Sequence, residues 1–281
     1  RNDNNIEMLK AQTVAARSTV LATMGKHHFG EGFDLCADDH CQCYQGTGKI
    51  SEHSKKVTEE TNGEVLIFDS SFVDARYSKI CGGITERYSS CWEDMDFPYL
   101  VSFYDNGNSS EVSNIYNDAQ AENLIRDKNF DCFCNTKKYK LPESLKFCND
   151  LFRWEAEISL AEISQNMSDK FGYGLENVLD LKILSRGYSG RIVKLEVIGS
   201  KGNHIISKEL NIRRLLSKTH LPSSAFILEK TKKGFNIIGA GWGHGVGLCQ
   251  IGAQVMGDSG YGYKEILKHY YRGAILKKIL L

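Results

Sequence analysis

The chain has 281 residues, 41% hydrophobic and 25% charged, which is enough apolar material for one large domain or two small ones. Its 35 basic and 35 acidic residues cancel, so there is no basic footprint for nucleic acid and no polybasic membrane patch. No apolar run approaches the roughly 20 residues that cross a bilayer.

Residues 4–24, NNIEMLKAQTVAARSTVLATM, predict a helix, because Ile6, Leu9, Ala16, Val20 and Met24 recur at helical spacing. Asn4 is the expected N-cap, with Glu7 three residues on in a capping-box arrangement. Glu7, Lys10, Val14 and Arg17 share another face of that helix. Nine cysteines, an odd number, mean that some bind metal or that at least one stays free. Cys36, His40, Cys41 and Cys43 crowd into one turn with His27 and His28 upstream. Thiolate and imidazole at such spacing are the donors zinc takes, usually four in tetrahedral array. A disulfide in an exported protein and reduced buried cysteines are the alternatives.

Residues 64–69 and 75–80 predict strands joined by a turn at Asp69–Ser71. A Cys81-Gly82-Gly83 turn follows, and Cys81 could pair with Cys91 if the protein is exported. Residues 106–150 are polar and weakly periodic and read as a variable insertion. Cys132, Cys134 and Cys148 within it could form a second small cluster, but their spacing is unspecific. Further on, 152–159 predicts a strand, 161–172 a short helix, 178–200 a β-hairpin and 207–218 a helix bearing Arg213 and Arg214. Strands are predicted over 221–230 and 233–241. The fold class is α+β, with mixed and antiparallel strands, a few helices and one compact domain carrying the insertion.

From Gly239 to Gly273 the composition changes. Glycine alternates with Trp242, His244 and Val246, a pattern that serves positive φ or close approach of another group to the main chain. Leu248, Ile251 and Val255 then take helical spacing. A second helix carries Tyr263, Ile266, Leu267 and Tyr270 and ends at Gly273. At this density of glycine the loop is expected to face a ligand.

The stretch GWGHGVGLCQIGA followed by YKEILKHYYRG resembles the signature of the stage II sporulation protein D / amidase enhancer family of bacterial cell-wall proteins. Ala240 and Cys249 stand where arginine and serine are expected. EMLKAQTVAARS, residues 7–18, resembles the opening helix of the same family. The resemblance implies an envelope location and a groove for peptidoglycan glycan strands. It also implies lytic transglycosylase chemistry on glycan stripped of stem peptides, or else non-catalytic activation of a cell-wall amidase.

In the family a Glu-Met-Pro turn before the first helix supplies the catalytic glutamate. Carried over, that residue falls immediately upstream of Arg1, and Glu7 is the best carboxylate within the chain. The family's zinc constellation falls on Cys36, His40 and Cys41, with His28 as fourth ligand and His27 or Cys43 as substitutes. Such a zinc is expected to be structural, although a zinc hydrolase using the site directly is a further reading. Aromatic faces at Trp242, Tyr270, Tyr271 and Tyr44 are expected to stack on sugar rings. His244, Gln250 and Arg17 are expected to offer hydrogen bonds. The opening helix, the cysteine–histidine turn and the tryptophan–histidine loop should then wall one cleft.

Overall fold

A computed structural model describes residues 4–37, 41, 46–48, 50–114, 116–174 and 176–280. The elements run α1 Ile6–Thr23, α2 Glu52–Glu60, β1 Glu64–Phe68, β2 Ser71–Phe72, β3 Tyr77–Ser78, α3 Asp118–Arg126 and β4 Arg153–Ser159. They continue α4 Leu160–Phe171, β5 Val178–Arg186, β6 Ile192–Gly199, β7 Gly202–Ser207, α5 Glu209–Leu215, β8 Phe226–Lys230 and β9 Gly234–Ala240. β10 Leu248–Cys249, α6 Gln250–Asp258, α7 Tyr263–Tyr270 and β11 Ile275–Lys278 close the order. The α+β class expected from the sequence is what the chain adopts.

Among the described residues two large hydrophobic cores are built, with two small clusters beside them. In the first, α1 turns Met8, Ala11, Val14 and Ala15 onto Leu66 of β1, Ile251 and Val255 of α6, and Ile266 and Leu267 of α7. The inner stripe of α1 is made of small residues, which lets its backbone lie close to the sheet. Ser18 Oγ accepts the Leu66 N–H at 2.9 Å across that gap. The sheet here is antiparallel, β11-β1-β2, so the last strand of the chain pairs with the first. Asp69 and Ser70, both at positive φ, make the tight β1–β2 turn, a task for which polar side chains are tolerated.

The second core lies between the antiparallel sheets β4-β9-β8 and β5-β6-β7 and the helices α4 and α5. Trp154, Ile163, Met167, Leu195, Ile212, Phe226 and Ile237 fill it. At ~1.5–3 kcal/mol for each such side chain removed from water, this burial outweighs the weak β propensity of the Gly-flanked turns between them.

Several boundaries differ from the sequence reading. Asn5, not Asn4, caps α1, its Oδ1 accepting from the N–H groups of Glu7 and Met8. The strand expected over 75–80 shrinks to Tyr77–Ser78, because its partner β10 is only two residues long and pairs with it in parallel. Residues 106–150, read from the sequence as a variable insertion, are built into the fold. They contribute α3, and Cys132, Cys134 and Cys148 are buried in the first core. Cys81 and Cys91 do not pair: the Cys91 thiol donates to the His244 carbonyl at 3.6 Å, and Cys81 Sγ lies 3.5 Å from Cys134 Sγ.

The glycine-rich loop after β9 is explained by its neighbours. A Cβ on Gly245 would stand 2.5 Å from Nη1 of the buried Arg191, and one on Gly247 would stand 2.0 Å from the Arg76 carbonyl oxygen. Both glycines have positive φ, +78° and +67°. Gly247→Ala is therefore expected to lower unfolding free energy by about 2–4 kcal/mol in urea titrations. Gly30→Ala, with φ +87° but nothing within 4 Å, should cost only about 1 kcal/mol. Equal losses at the two positions would refute the packing explanation.

Candidate functional site

The loop leaves β9 at Ala240 and is held against the segment 76–82 on both sides. Trp242 exchanges backbone hydrogen bonds with Ile80 at 2.8 and 3.0 Å, and Leu248 N–H reaches the Arg76 carbonyl at 3.0 Å. This fixes His244 at the turn of the loop, partly buried, with its ring edge-on to Trp92 at a centroid distance of 4.8 Å. His244 Nδ1 accepts the Val246 N–H at 3.0 Å, and the Tyr77 backbone also bonds the ring. Burial, reinforced by the guanidinium groups of Arg76, Arg191 and Arg213, holds its pKa down to about 3. His244 is thus a neutral imidazole at any physiological pH.

Arg76 is the centre of the surrounding surface. Its guanidinium lies 4.7 Å from the Trp92 ring centroid and 5.9 Å from that of Tyr88, and its Nε donates to Asp74 Oδ2 at 2.8 Å. Asp74 Oδ1 is buried without a hydrogen-bond partner among the described residues. Burial raises the Asp74 pKa above the usual aspartate range, with Arg76 pulling it the other way. Sequence reading missed both residues. Their only trace is a charged pair in the short apolar run Val73–Arg76, and nothing in that run says that loop and turn converge on it.

The cysteine–histidine turn is linked to this surface through Arg76. His28, Cys36 and Cys41 bring their ligand atoms within 4.8 Å of one another, and Arg76 acts electrostatically on the Cys41 thiol. Glu31 Oε2 stands 3.1 Å from His28 Nδ1 and supplies the carboxylate that commonly orients a metal-bound histidine. The donor set fits zinc. His40, Cys43 and Tyr44 lie outside the described residues.

The remaining sequence candidates are placed as follows. Gln250 Nε2 donates to Gln12 Oε1 at 3.0 Å, so the signature loop and α1 meet directly. Trp242 is half-buried, edge-on to the exposed Phe147 at 6.0 Å. Glu7 sits between Lys10 Nζ at 3.1 Å and the Tyr263 N–H at 2.8 Å, tying α1 to α7. Arg17 Nη1 donates to the carbonyls of Thr61 and Glu64 at 2.8 and 2.7 Å, joining α1 to the start of β1. Tyr270 and Tyr271 are wholly buried, their hydroxyls bound to Asp105 Oδ1 and to the Ala75 and Arg76 carbonyls. The sugar stacking expected of these two rings is closed to them, because the helix face that carries them is the core face. Two clefts lie elsewhere, one of about 450 Å³ beside Arg153 and Trp154 and one of about 580 Å³ between α4 and the Leu216–Leu221 segment.

The chain is an α+β domain in which a glycine-rich loop, a cysteine–histidine turn and an opening helix are brought together, and comparison gives it a family. Residues 1–68 match the model of the stage II sporulation protein, and residues 86–247 match a domain of unknown function, DUF8618. The chain is 25% identical to the amidase enhancer of Bacillus subtilis over 97% of its own length and 38% of the relative's. It is 24% identical to stage II sporulation protein D of Bacillus amyloliquefaciens, over 95% of this chain and 67% of that one. An uncharacterized protein of Brachyspira hyodysenteriae is 28% identical over 95% of this chain and 60% of the relative. The chain belongs to the stage II sporulation protein D / amidase enhancer family. It thus spans about 60% and 38% of the Brachyspira relative and the Bacillus subtilis amidase enhancer.

The His244 environment carries a pH signature. The folded chain takes no proton there until about pH 3, whereas an unfolded histidine takes one near 6.5. The stability supplied by the neutral ring is complete above pH 6.5 and is lost as pH falls, at a limiting slope of ~1.4 kcal/mol per pH unit. His244→Gln should therefore flatten the acid limb of unfolding free energy between pH 6.5 and about 4. An unchanged limb would mean that the imidazole is freely protonated in the fold.

Proposed function

We infer that the chain binds peptidoglycan glycan strands and cleaves them by a lytic transglycosylase mechanism. The observation that carries the reading is that the signature loop touches both Arg76 and Trp92, through Leu248 and His244, and reaches α1 through Gln250 and Gln12, while the Arg76 charge acts on the Cys41 thiol of the cysteine–histidine turn. That surface combines partly exposed aromatic rings at Trp92 and Trp242 with the neutral amides of Gln12 and Gln250. Such a surface suits an uncharged sugar chain, whose rings present apolar faces and hydroxyl edges.

Lytic cleavage asks less of the protein than hydrolysis does. The C6 hydroxyl of the sugar attacks its own anomeric carbon, so geometry within the substrate replaces an activated water. One carboxyl that gives and then takes a proton is sufficient. Zinc held by His28, Cys36, His40 and Cys41 would fix the shape of the turn. A closed four-ligand site supplies rigidity rather than an activated water.

A second reading has its own support. Glu7 is engaged by Lys10 and by the Tyr263 N–H, which suits a helix anchor better than a proton donor. A chain of this kind could bind glycan and stimulate a separate wall amidase, as the printed name of the Bacillus subtilis relative suggests for that protein.

Digestion of purified denuded glycan, followed by mass spectrometry of the products, separates these readings. Anhydro-muramic ends are expected, with Trp92→Ala reducing their yield at least roughly tenfold while far-UV circular dichroism stays unchanged. Reducing ends would indicate hydrolysis. Absence of any product, together with stimulation of an added amidase, would establish the activator role and overturn lytic cleavage.

A further inference from the structure

A second group of metal-type ligands lies in the first core, away from the cysteine–histidine turn. The thiols of Cys81, Cys134 and Cys249 and a carboxylate oxygen of Asp105 all lie within 4.8 Å of one another, and all four residues are buried. We propose that these residues form a structural site for a zinc-type divalent cation, separate from any metal held by His28, Cys36 and Cys41.

The spacing is that of a coordination shell rather than of a disulfide. Cys81 Sγ lies 3.5 Å from Cys134 Sγ and 3.2 Å from Asp105 Oδ2. A tetrahedral zinc with bonds of ~2.3 Å to sulfur and ~2.0–2.2 Å to oxygen sets ligand separations of roughly 3.3–3.8 Å. With every ligand atom within 4.8 Å of the others, movements of about 1 Å or less close the shell. A Cys81–Cys134 bond would require the two sulfurs to approach by more than about 1 Å, to ~2.0 Å.

The surroundings are arranged as metal ligands require. Cys249 Sγ accepts the backbone N–H groups of Cys81 at 3.2 Å and Gly252 at 3.4 Å, and it caps the N-terminus of α6. Backbone donors and the helix dipole act in favour of a thiolate at that sulfur, against burial, which pushes the Cys249 thiol well up and leaves the balance to a cation. Asp105 Oδ1 is taken by the Tyr270 hydroxyl at 2.9 Å and His269 Nε2 at 3.0 Å, which turns Oδ2 toward the sulfurs. Outer hydrogen bonds of this kind orient a ligating carboxylate.

Charge gives a third argument. Asp105 is fully buried, and its side-chain partners among the described residues are His269, Tyr270 and Cys81, with no lysine or arginine. A divalent cation would compensate a carboxylate and thiolates that are costly to bury without one. Four protein ligands leave no open position, so the role is structural. The ion would tie the Gly82–Gly83 turn, the loop at Asp105, the 106–150 segment and the first turn of α6 together. Cys132 Sγ, 3.8 Å from Cys134 Sγ, stands just outside the cluster.

The test is metal content of the purified chain by inductively coupled plasma mass spectrometry. The double variant Cys36→Ser/Cys41→Ser, which removes the turn's thiols, should still retain about one zinc per chain. Its cobalt form should show thiolate-to-cobalt charge transfer and tetrahedral visible bands. Adding Cys134→Ser should weaken zinc retention against a chelator by roughly 10–100-fold. Adding Cys148→Ser instead, a buried cysteine outside the cluster, should leave retention unchanged and controls for loss of fold. No zinc in the double variant while it remains folded would overturn the site. So would an intact mass showing two hydrogens lost to a disulfide at Cys81 or Cys134.

Discussion

The architecture depends on one buried guanidinium. Arg191, fully buried, donates to the Cys81 carbonyl at 3.1 and 3.2 Å, to the Gly243 carbonyl at 3.1 Å and to Ser189 Oγ at 2.8 Å. Ser189 passes the interaction on, its hydroxyl donating at 2.7 Å to Glu86, which is also fully buried and further held by the Tyr188 and Ser189 N–H groups. A positive and a negative charge thus share the interior through a hydroxyl. The arrangement is stable only if nearly every donor and acceptor is used, since removing one partner strands the other charge. Arg191 belongs to the second core by sequence but grips the main chain of the first. It is the clamp that joins the β5–β6 hairpin to the Gly82–Gly83 turn and the signature loop.

That clamp changes the meaning of the glycines. Their alternation with Trp242, His244 and Val246 invites the idea of a backbone left bare for a ligand. The close approaches here are made by the protein itself, by Arg191 at Gly245 and by the Arg76 carbonyl at Gly247. The loop is therefore rigid before any ligand arrives. A ligand on this surface meets the side chains between the glycines, held in place, and loses little of its binding energy to ordering them.

What could be read from the sequence follows from what is local. The period of α1, α6 and α7 and the alternation through β5 and β6 are set by neighbours a few residues away, and these elements form where expected. Cys36 and Cys41 reach one cluster because a single turn carries them. The errors concern distance. Tyr270 and Tyr271 occupy a signature, yet which face of α7 points inward is decided by Phe103, Asp105 and Arg76, more than 160 residues earlier. The role of Arg17 and the burial of Cys132 and Cys134 are likewise decided by partners no spacing rule can name. The 106–150 segment reads as a variable insertion because polar residues dominate its composition, while the residues that join it to the first core are its few buried ones.

The same separation bears on how the surface comes into being. β3 and β10 pair in parallel although Tyr77 and Leu248 are far apart in the chain, and Gln12 reaches Gln250 across an even longer interval. β1 waits for β11 to gain its outer partner. The second core, by contrast, is assembled from residues 154–237 alone, largely from consecutive antiparallel strands. Loop-closure entropy makes the latter contacts cheaper to form first. Once that core is in place, Arg191 is already presented, and the segments at 76–82 and 241–249 have a fixed cation on which to close. The surface around Arg76 and His244 then forms only when both ends of the chain have joined the first core. Its integrity is consequently a report on the whole fold, and a substitution beneath it, at the buried Arg191, disturbs it as directly as one at Trp92.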